Sequence, residues 1–467
     1  MKNQIFNPYL PSYEYIPDGE PRVFGERLYI FGSHDRFNGT DFCQNDYVCW
    51  STPIDDLSAW RYEGVIYRKD QHPYKIGKGL FYAPDVTQGP DGRYYLYYSV
   101  ADSCIMSVAV SDNPAGPYEY YGDIKDEFGH VIGSSEGDYY QFDPSILVDD
   151  DGRIFLYSGF SPLFKKIELG RKSIGAFVME LNQDMLTVKA EPKIIIPKKM
   201  KNAGKNNFFE ASSIRKINGI YYFVYSSFIG GLCYATSKYP DRDFIYGGMI
   251  HSNFDFRLNG HNLMNPAYPV GNNHGGIVCI KGQYYIFNHR MTNKTLYSRQ
   301  GTAEPITIES DGSIKQVETT SCGLNGGPLI GKGEYPAYIA CCLMGKRLFI
   351  GMQSPSSIPY ITQEGEDREG DPNQYIASMK NGSTAGYKYF DFDKVSRISV
   401  KVRGEASGEL QVKLSEKGAV VSRIKLTDCG KEWTEFSSEF KLTSGVYPLY
   451  FIFKGKGEFD FMSFSIQ

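Results

Sequence analysis

Helical periodicity is nearly missing from this chain, so a helix-built architecture has nothing to rest on. No basic stripe is present either: acids and bases interleave, the net charge is −4 and the pI about 6.1, which argues against a nucleic-acid partner. The opening MKNQIFNPYLPSYEY lacks the apolar stretch of a signal peptide, and no later run is long and apolar enough to span a bilayer. The expectation is a soluble cytoplasmic protein with no membrane partner. Nine cysteines include no CxxC pair and no Cys/His cluster, so scattered reduced thiols are expected rather than a zinc site or a disulfide framework.

What the chain does contain is aromatic and turn-forming. Phe, Trp and Tyr make up 15%, with 37 Tyr and 30 Phe, beside 49 Gly, the mixture of a mostly β protein. At 467 residues two domains are the natural division. Five similar strings recur: GERLYIFGS from Gly25, GRYYLYYSV from Gly92, GRIFLYSGF from Gly152, GIYYFVYSS from Gly219 and GQYYIFNHR from Gly282. Each reads as the second strand of a hairpin opened by a glycine turn. Their glycines lie 67, 60, 67 and 63 residues apart, room for four short strands per unit. A five-bladed β-propeller follows; the spacings are too long and uneven for a β-helix or stacked solenoid.

Upstream of each hairpin glycine, where the innermost strand of a blade begins, stands one ionisable residue: Asp18, Asp85, Asp143, Glu210 and His274. Taken singly each could be a residue capping its own turn. In register they are expected to converge on one end of the propeller axis. Crowded carboxylates resist joint ionisation, so such a funnel points to acid/base chemistry or cation binding.

With these motifs in place the chain resembles glycoside hydrolase family 43 over roughly residues 6 to 320. The resemblance rests on PDGEPRVFGERLYIFGSHD, YAPDV at 82–86, FDPSILVDDDG, FFEASSIRKINGIYYFVYSS, HGG at 274–276 and the His289-Arg290 pair. It departs at Gly19, where the family usually has Pro, and at Tyr82, where it usually has Trp. The resemblance implies hydrolysis with inversion: Asp18 as base, Glu210 as acid, and Asp143 as the ionised neighbour that raises the pKa of Glu210 and orients it. It further implies substrate contacts from Asp85, Arg290, Tyr82 and His34, the last opening the loop 34–47; that loop and 72–82 would shape the pocket. No cofactor is needed for the chemistry. A calcium or sodium ion on the axis near His274 is one reading of that histidine, a satisfied channel residue the other.

The hairpin repeat stops after about residue 325. From 397 onward RISVKVRG, ELQVKLSE, SRIKLTD, YPLYFIFKG and FDFMSFSIQ alternate, the pattern of an antiparallel, jelly-roll-like β-sandwich. Residues 335–467 resemble carbohydrate-binding module family 6, which leaves room for a structural calcium and for Trp433 as a sugar platform. A structural or pocket-completing role is preferred. The implied activity is an exo-acting α-L-arabinofuranosidase on arabinoxylan or xylan oligosaccharides, with β-xylosidase or a bifunctional enzyme as the near rival. A non-catalytic sugar-binding propeller is the alternative of another class, and a protein-interaction scaffold comes last.

Overall fold

A computed structural model describes residues 3–74, 78–162, 170–348, 352–370, 373–427 and 429–467. Residues 75–77 of the loop 72–82, and Asp428 at the end of SRIKLTD, lie outside the described residues. Four antiparallel four-stranded meanders and one three-stranded meander form five blades. The first comprises Glu20–Phe24, Arg27–Phe31, Tyr47–Pro53 and Arg61–Tyr67; the others open with Phe81–Gln88, Ser145–Val148, Phe208–Ile217 and Ile277–Ile280. All five repeat glycines occupy the hairpin turn between first and second strands at positive φ, from 59° at Gly25 to 85° at Gly92. A Cβ would meet no atom within 4 Å at any of them. Glycine is therefore needed for its backbone angle and not for space.

The tyrosines and phenylalanines lie between blades. Each of the five blade interfaces has its own apolar cluster, such as Tyr95, Tyr97 and Met106 against Leu156, Phe177 and Met179 between the second and third. At about 1.5–3 kcal/mol per buried large side chain these clusters dominate ring closure. The innermost strands of the first and fifth blades touch, and the N-terminal segment fastens that seam. Asn7 Nδ2 donates to the carbonyls of Ala303 and Thr320, both at 3.0 Å, and Oδ1 accepts the Ala303 N–H at 3.0 Å.

The C-terminal unit is an eight-stranded sheet starting at Leu329–Ile330, a few residues ahead of the expected 335. It curls on itself: Ile398–Val402 pairs on one side with Ile466–Phe461 and on the other with Ser438–Thr434. Tyr387, Phe390, Phe451, Phe461 and Phe464 fill the curl, in one continuous cluster with residues of the third and fourth blades. At the seam Lys388 is buried, its Nζ 2.8 Å from both Asp255 Oδ2 and Glu318 Oε2. The two units therefore share apolar core and an ion triad centred on the buried Lys388 and Asp255.

Candidate active site

A cavity of about 320 Å³ opens at one end of the propeller axis, lined by Asp18, Asp143, Glu210 and His274 among others. That is near the lower end for ligand pockets, suited to one sugar ring. Four of the five registered residues thus converge. Asp85 does not line the cavity: it is fully buried, gripped by Arg22 through Nε at 2.9 Å and through Nη2, with the N–H of Ile146 donating at 2.9 Å. The second blade reaches the pocket with Tyr82 and Ala83 instead. A strand advances about 3.3 Å per residue, so Asp85 lies deeper, where it ties three blades together below the floor.

The pocket carboxyls sit where regular strand geometry breaks. Asp18 and Asp143 have φ of 57° and 48°, and Ala211, beside Glu210, has 68°. Pairing of the Phe208–Ile217 strand shifts register on both sides of Glu210. Irregularities of this kind re-aim side chains at functional sites at a cost in stability.

Asp18 is buried, with Arg299 Nη1 donating to its two oxygens at 3.1 and 3.2 Å. Burial alone would raise its pKa, but the Arg299 guanidinium outweighs it and holds the carboxyl below its ordinary range. The N–H of Asp18 donates to Nδ1 of His289 at 3.2 Å, so the ring proton sits on Nε2, which donates to the Asn272 carbonyl at 2.9 Å. Burial brings the His289 pKa down to about 3. This histidine is thus a neutral support for the Asp18 backbone.

Across the pocket Glu210 is only partly buried as a residue, yet its carboxyl is pushed up to about 8, first by desolvation and then by the charge of Asp18. Asp143 is also raised, by burial and then by Glu210 and Asp18, against the pull of His274. The two titrate as a pair that keeps a proton near neutrality. Asp143 Oδ2 accepts the Ala211 N–H at 2.9 Å and lies 3.7 Å from His274 Nδ1. Both contacts favour its anion, which puts the retained proton on Glu210. An ionised carboxylate on the first blade faces a protonated carboxyl on the fourth.

Two further expectations differ from the structure. Arg290 is buried away from the cavity: Nη2 donates to Gln300 Oε1 at 2.8 Å and Nη1 to the Ala340 carbonyl at 3.2 Å. Arg290 pairs with Gln300 across its hairpin and Met291 with Arg299. Cross-strand partners share a face and successive residues alternate, so Arg299, not Arg290, is the pocket arginine. His34 is likewise buried outside the pocket, with Nδ1 donating to the Asp46 carbonyl at 2.7 Å and Nε2 3.1 Å from Glu14. Trp433 offers no open platform, since Arg403 stacks over it at 4.2 Å and Tyr375 packs edge-on at 5.5 Å.

Several pocket residues carried no sequence signal. Arg299 is clamped by Asp35, with Nε to Oδ2 at 2.8 Å and Nη2 to Oδ1 at 2.9 Å. Phe142 and Phe209 form an aromatic wall with Tyr82, whose ring meets Phe142 edge-on at 5.7 Å. For a metal, no group of three His, Cys, Asp or Glu suited to holding an ion occurs among the described residues. His274 Nε2 is buried without a hydrogen-bond partner, so it could give an axial ion one ligand, with water as the remainder.

An ionised carboxylate facing a proton-bearing one, in a single-ring pocket at a propeller axis, defines a glycoside hydrolase. The model of glycosyl hydrolases family 43 matches residues 17–314, and the chain belongs to this family. It is 50% identical to a xylosidase/arabinosidase of Thermoclostridium stercorarium, over 100% of this chain and 99% of that protein. An arabinoxylan arabinofuranohydrolase of Paenibacillus polymyxa is 26% identical, covering 95% and 70%. In fold, the chain is similar to the crystal structure of a family 43 arabinoxylan arabinofuranohydrolase from Bacillus subtilis, with a TM-score of 0.53 at 21% identity over 99% of this chain and 97% of that one. Both units, propeller and curled sheet, fall within that overlay.

Proposed function

We propose that the enzyme is an inverting, exo-acting α-L-arabinofuranosidase that removes single arabinose units from arabinoxylan-derived oligosaccharides. The observation that carries this is the pairing of Asp18, held ionised by Arg299, with Glu210, held protonated. Asp18 takes a proton from water as that water attacks the anomeric carbon, while Glu210 gives its proton to the leaving oxygen. The glycosidic bond breaks, the new bond forms on the opposite face, and the acid and base exchange states through solvent. Asp143 keeps the Glu210 pKa high and Tyr82 with Phe142 packs on the sugar.

A second reading, activity on β-xylosides as well, is favoured by the relative named xylosidase/arabinosidase. Arabinofuranosyl and xylopyranosyl units can present their hydroxyls to one pocket in similar ways. A calcium or sodium ion, if bound, would take His274 Nε2 as a ligand and place positive charge beneath the sugar. No disulfide joins the nine cysteines among the described residues, and eight of them are buried, which suits a reducing compartment.

The test is nitrophenol release from 4-nitrophenyl α-L-arabinofuranoside and β-D-xylopyranoside by the wild type, Asp18→Ala and Glu210→Ala. Arabinoside turnover that Asp18→Ala abolishes supports the proposal; Glu210→Ala retains part of its rate because nitrophenol leaves with little acid help. Saturable sugar binding without turnover by the folded wild type would replace it with a binding-only propeller.

A further inference from the structure

The loop between the second and third strands of the first blade, residues 32–46, supplies Asp35, Phe42 and Cys43 to the active site. It has no ladder of its own, and Asn38 and Cys43 stand at φ of 55° and 54°. What it holds matters: Asp35 clamps Arg299, and Arg299 sits on Asp18. Cys43 closes the arrangement, its N–H donating to Asp35 Oδ1 at 3.0 Å.

Two adjacent residues of the C-terminal unit grip this loop. Asp367 Oδ1 accepts the Phe37 N–H at 2.6 Å, and its Oδ2 accepts from Asn45 Nδ2 at 2.9 Å. The same Asn45 amide donates to the Asp35 carbonyl at 2.9 Å. Asp367 therefore ties both flanks of the loop to one carboxylate. Arg368 Nη1 donates to the two oxygens of Glu14 at 2.7 and 2.9 Å and to His34 Nε2 at 3.0 Å. Glu14 is itself fixed by the Trp50 indole N–H at 2.6 Å. Charge-assisted contacts of this kind are the stronger class of hydrogen bond.

We propose that Asp367 is a positioning residue of the active site: by fixing the loop 32–46 from the neighbouring unit, it keeps Asp35 where Asp35 holds Arg299 against Asp18. The titratable groups that act on Asp18 or feel its charge are Arg299, His289, His274, Asp143, Glu210, Asp35, Cys43 and Tyr47. Asp367 bonds the Phe37 N–H and the Asn45 amide of the loop, so its effect on the base is assigned to the placement of Arg299. The kinetic consequence rests on the hydrolase reading above; the placement of the loop does not.

Asp367→Ala and Asp367→Asn, made in the full chain, separate the possibilities. Losing the grip is expected to lower kcat/KM by about tenfold to a hundredfold, as small misplacements at a distance do. It also moves the acid limb of kcat/KM up by about one unit, because a displaced Arg299 stabilises the Asp18 anion less. Asp367→Asn keeps an oxygen for the Phe37 N–H but sets an amide donor against Asn45 Nδ2, so it recovers only part of the loss. A readout independent of activity is iodoacetamide labelling mapped by peptide mass spectrometry. Cys43 is 1% exposed and Cys49, in the same blade, 0%. In Asp367→Ala the labelling of Cys43 rises by about tenfold or more as the loop opens locally, with Cys49 unchanged. Protection of Cys43 equal to the wild type overturns the proposal, as does a parallel rise at Cys43 and Cys49, or a lowered Tm with an unmoved acid limb. A wild type that hydrolyses neither glycoside removes the hydrolase reading while Cys43 labelling still decides the positioning role.

Discussion

Arg299→Met tests the electrostatic core of the site. The guanidinium Nη1 lies 3.1 and 3.2 Å from the two oxygens of Asp18, and both side chains are buried. Two unit charges about 4 Å apart interact by about 4 kcal/mol at an effective dielectric constant near 20. At about 1.4 kcal/mol per unit this is about 3 pKa units, and some relaxation leaves about 2 to 3. The wild-type base stays ionised below the ordinary carboxylate range, so its kcat/KM is flat down to about pH 5. In the variant burial is no longer opposed by Arg299, and an acid limb emerges above that pH. At pH 5 the loss of kcat/KM from this cause alone is about tenfold, shrinking towards neutrality. The basic limb belongs to the pair at about 8, so the bell narrows from its acid side.

Two side effects are separable. Arg299 lines the pocket, so KM for the arabinoside rises as well; the position of the limb, not its height, is the diagnostic. Asp35 is left without its partner, and a buried carboxyl that loses its counter-charge destabilises by about 3–5 kcal/mol or takes up a proton. Adding Asp35→Asn removes that group, and the double variant should recover Tm while keeping the shifted limb. A folded Arg299→Met enzyme whose kcat/KM stays flat to pH 5 would show that Arg299 does not set the state of Asp18, and the base assignment would lose its physical support.

Glu210→Gln should raise stability while removing the proposed acid. Its carboxyl is raised in the folded state, so between about pH 4.5 and 8 the native protein binds more protons than the unfolded chain and loses stability as pH rises. The variant's Tm advantage over wild type should therefore grow from pH 5 to pH 8, by about 1–3 kcal/mol in a denaturant titration; an advantage independent of pH would count against the raised pKa. Lys388→Met leaves Asp255 and Glu318 facing each other at the seam between the units and should cost about 3–5 kcal/mol, read as a lowered Tm that Asp255→Asn partly restores. A chain ending at residue 330 exposes Phe254, Phe256 and Tyr268, which share a cluster with the C-terminal sheet, and should elute as aggregate in size-exclusion chromatography. A monomeric fragment with full activity would mean the second unit is dispensable.

The parts of this molecule legible in sequence are those whose causes are local. Five hairpin turns need a positive φ and therefore glycine, and each is followed by a strand, so the blades could be counted from spacing. Asp18, Asp143, Glu210 and His274 lie in similar register with those turns and reach the pocket, and Tyr82 was read from the family resemblance. Asp85 shared the register but sits deeper along its strand, a difference of aim created by irregular pairing between Tyr82 and Asp85. Arg290 was betrayed by alternation: its neighbour across the hairpin, one position off, lines the pocket. Arg299 and Asp35 are 264 residues apart, and nothing in either local string announces the other.

The segment PYITQEGEDREG shows why the role of the second unit was least legible of all. As sequence it is a strand followed by a charged turn, and it resembles part of a sugar-binding module. In the structure its two central charged residues face the propeller and are spent on the loop that carries Asp35. This fits the energetics of the site. Three left-handed non-glycine residues and two carboxyls forced towards neutrality each cost stability, and the loop beside them has no ladder of its own. Five apolar blade interfaces can offset the cost, but they cannot fix a loop that lies outside every strand. A rigid sheet docked alongside can, and the Asp367 and Arg368 contacts place that support within two links of the base, through Asp35 and Arg299.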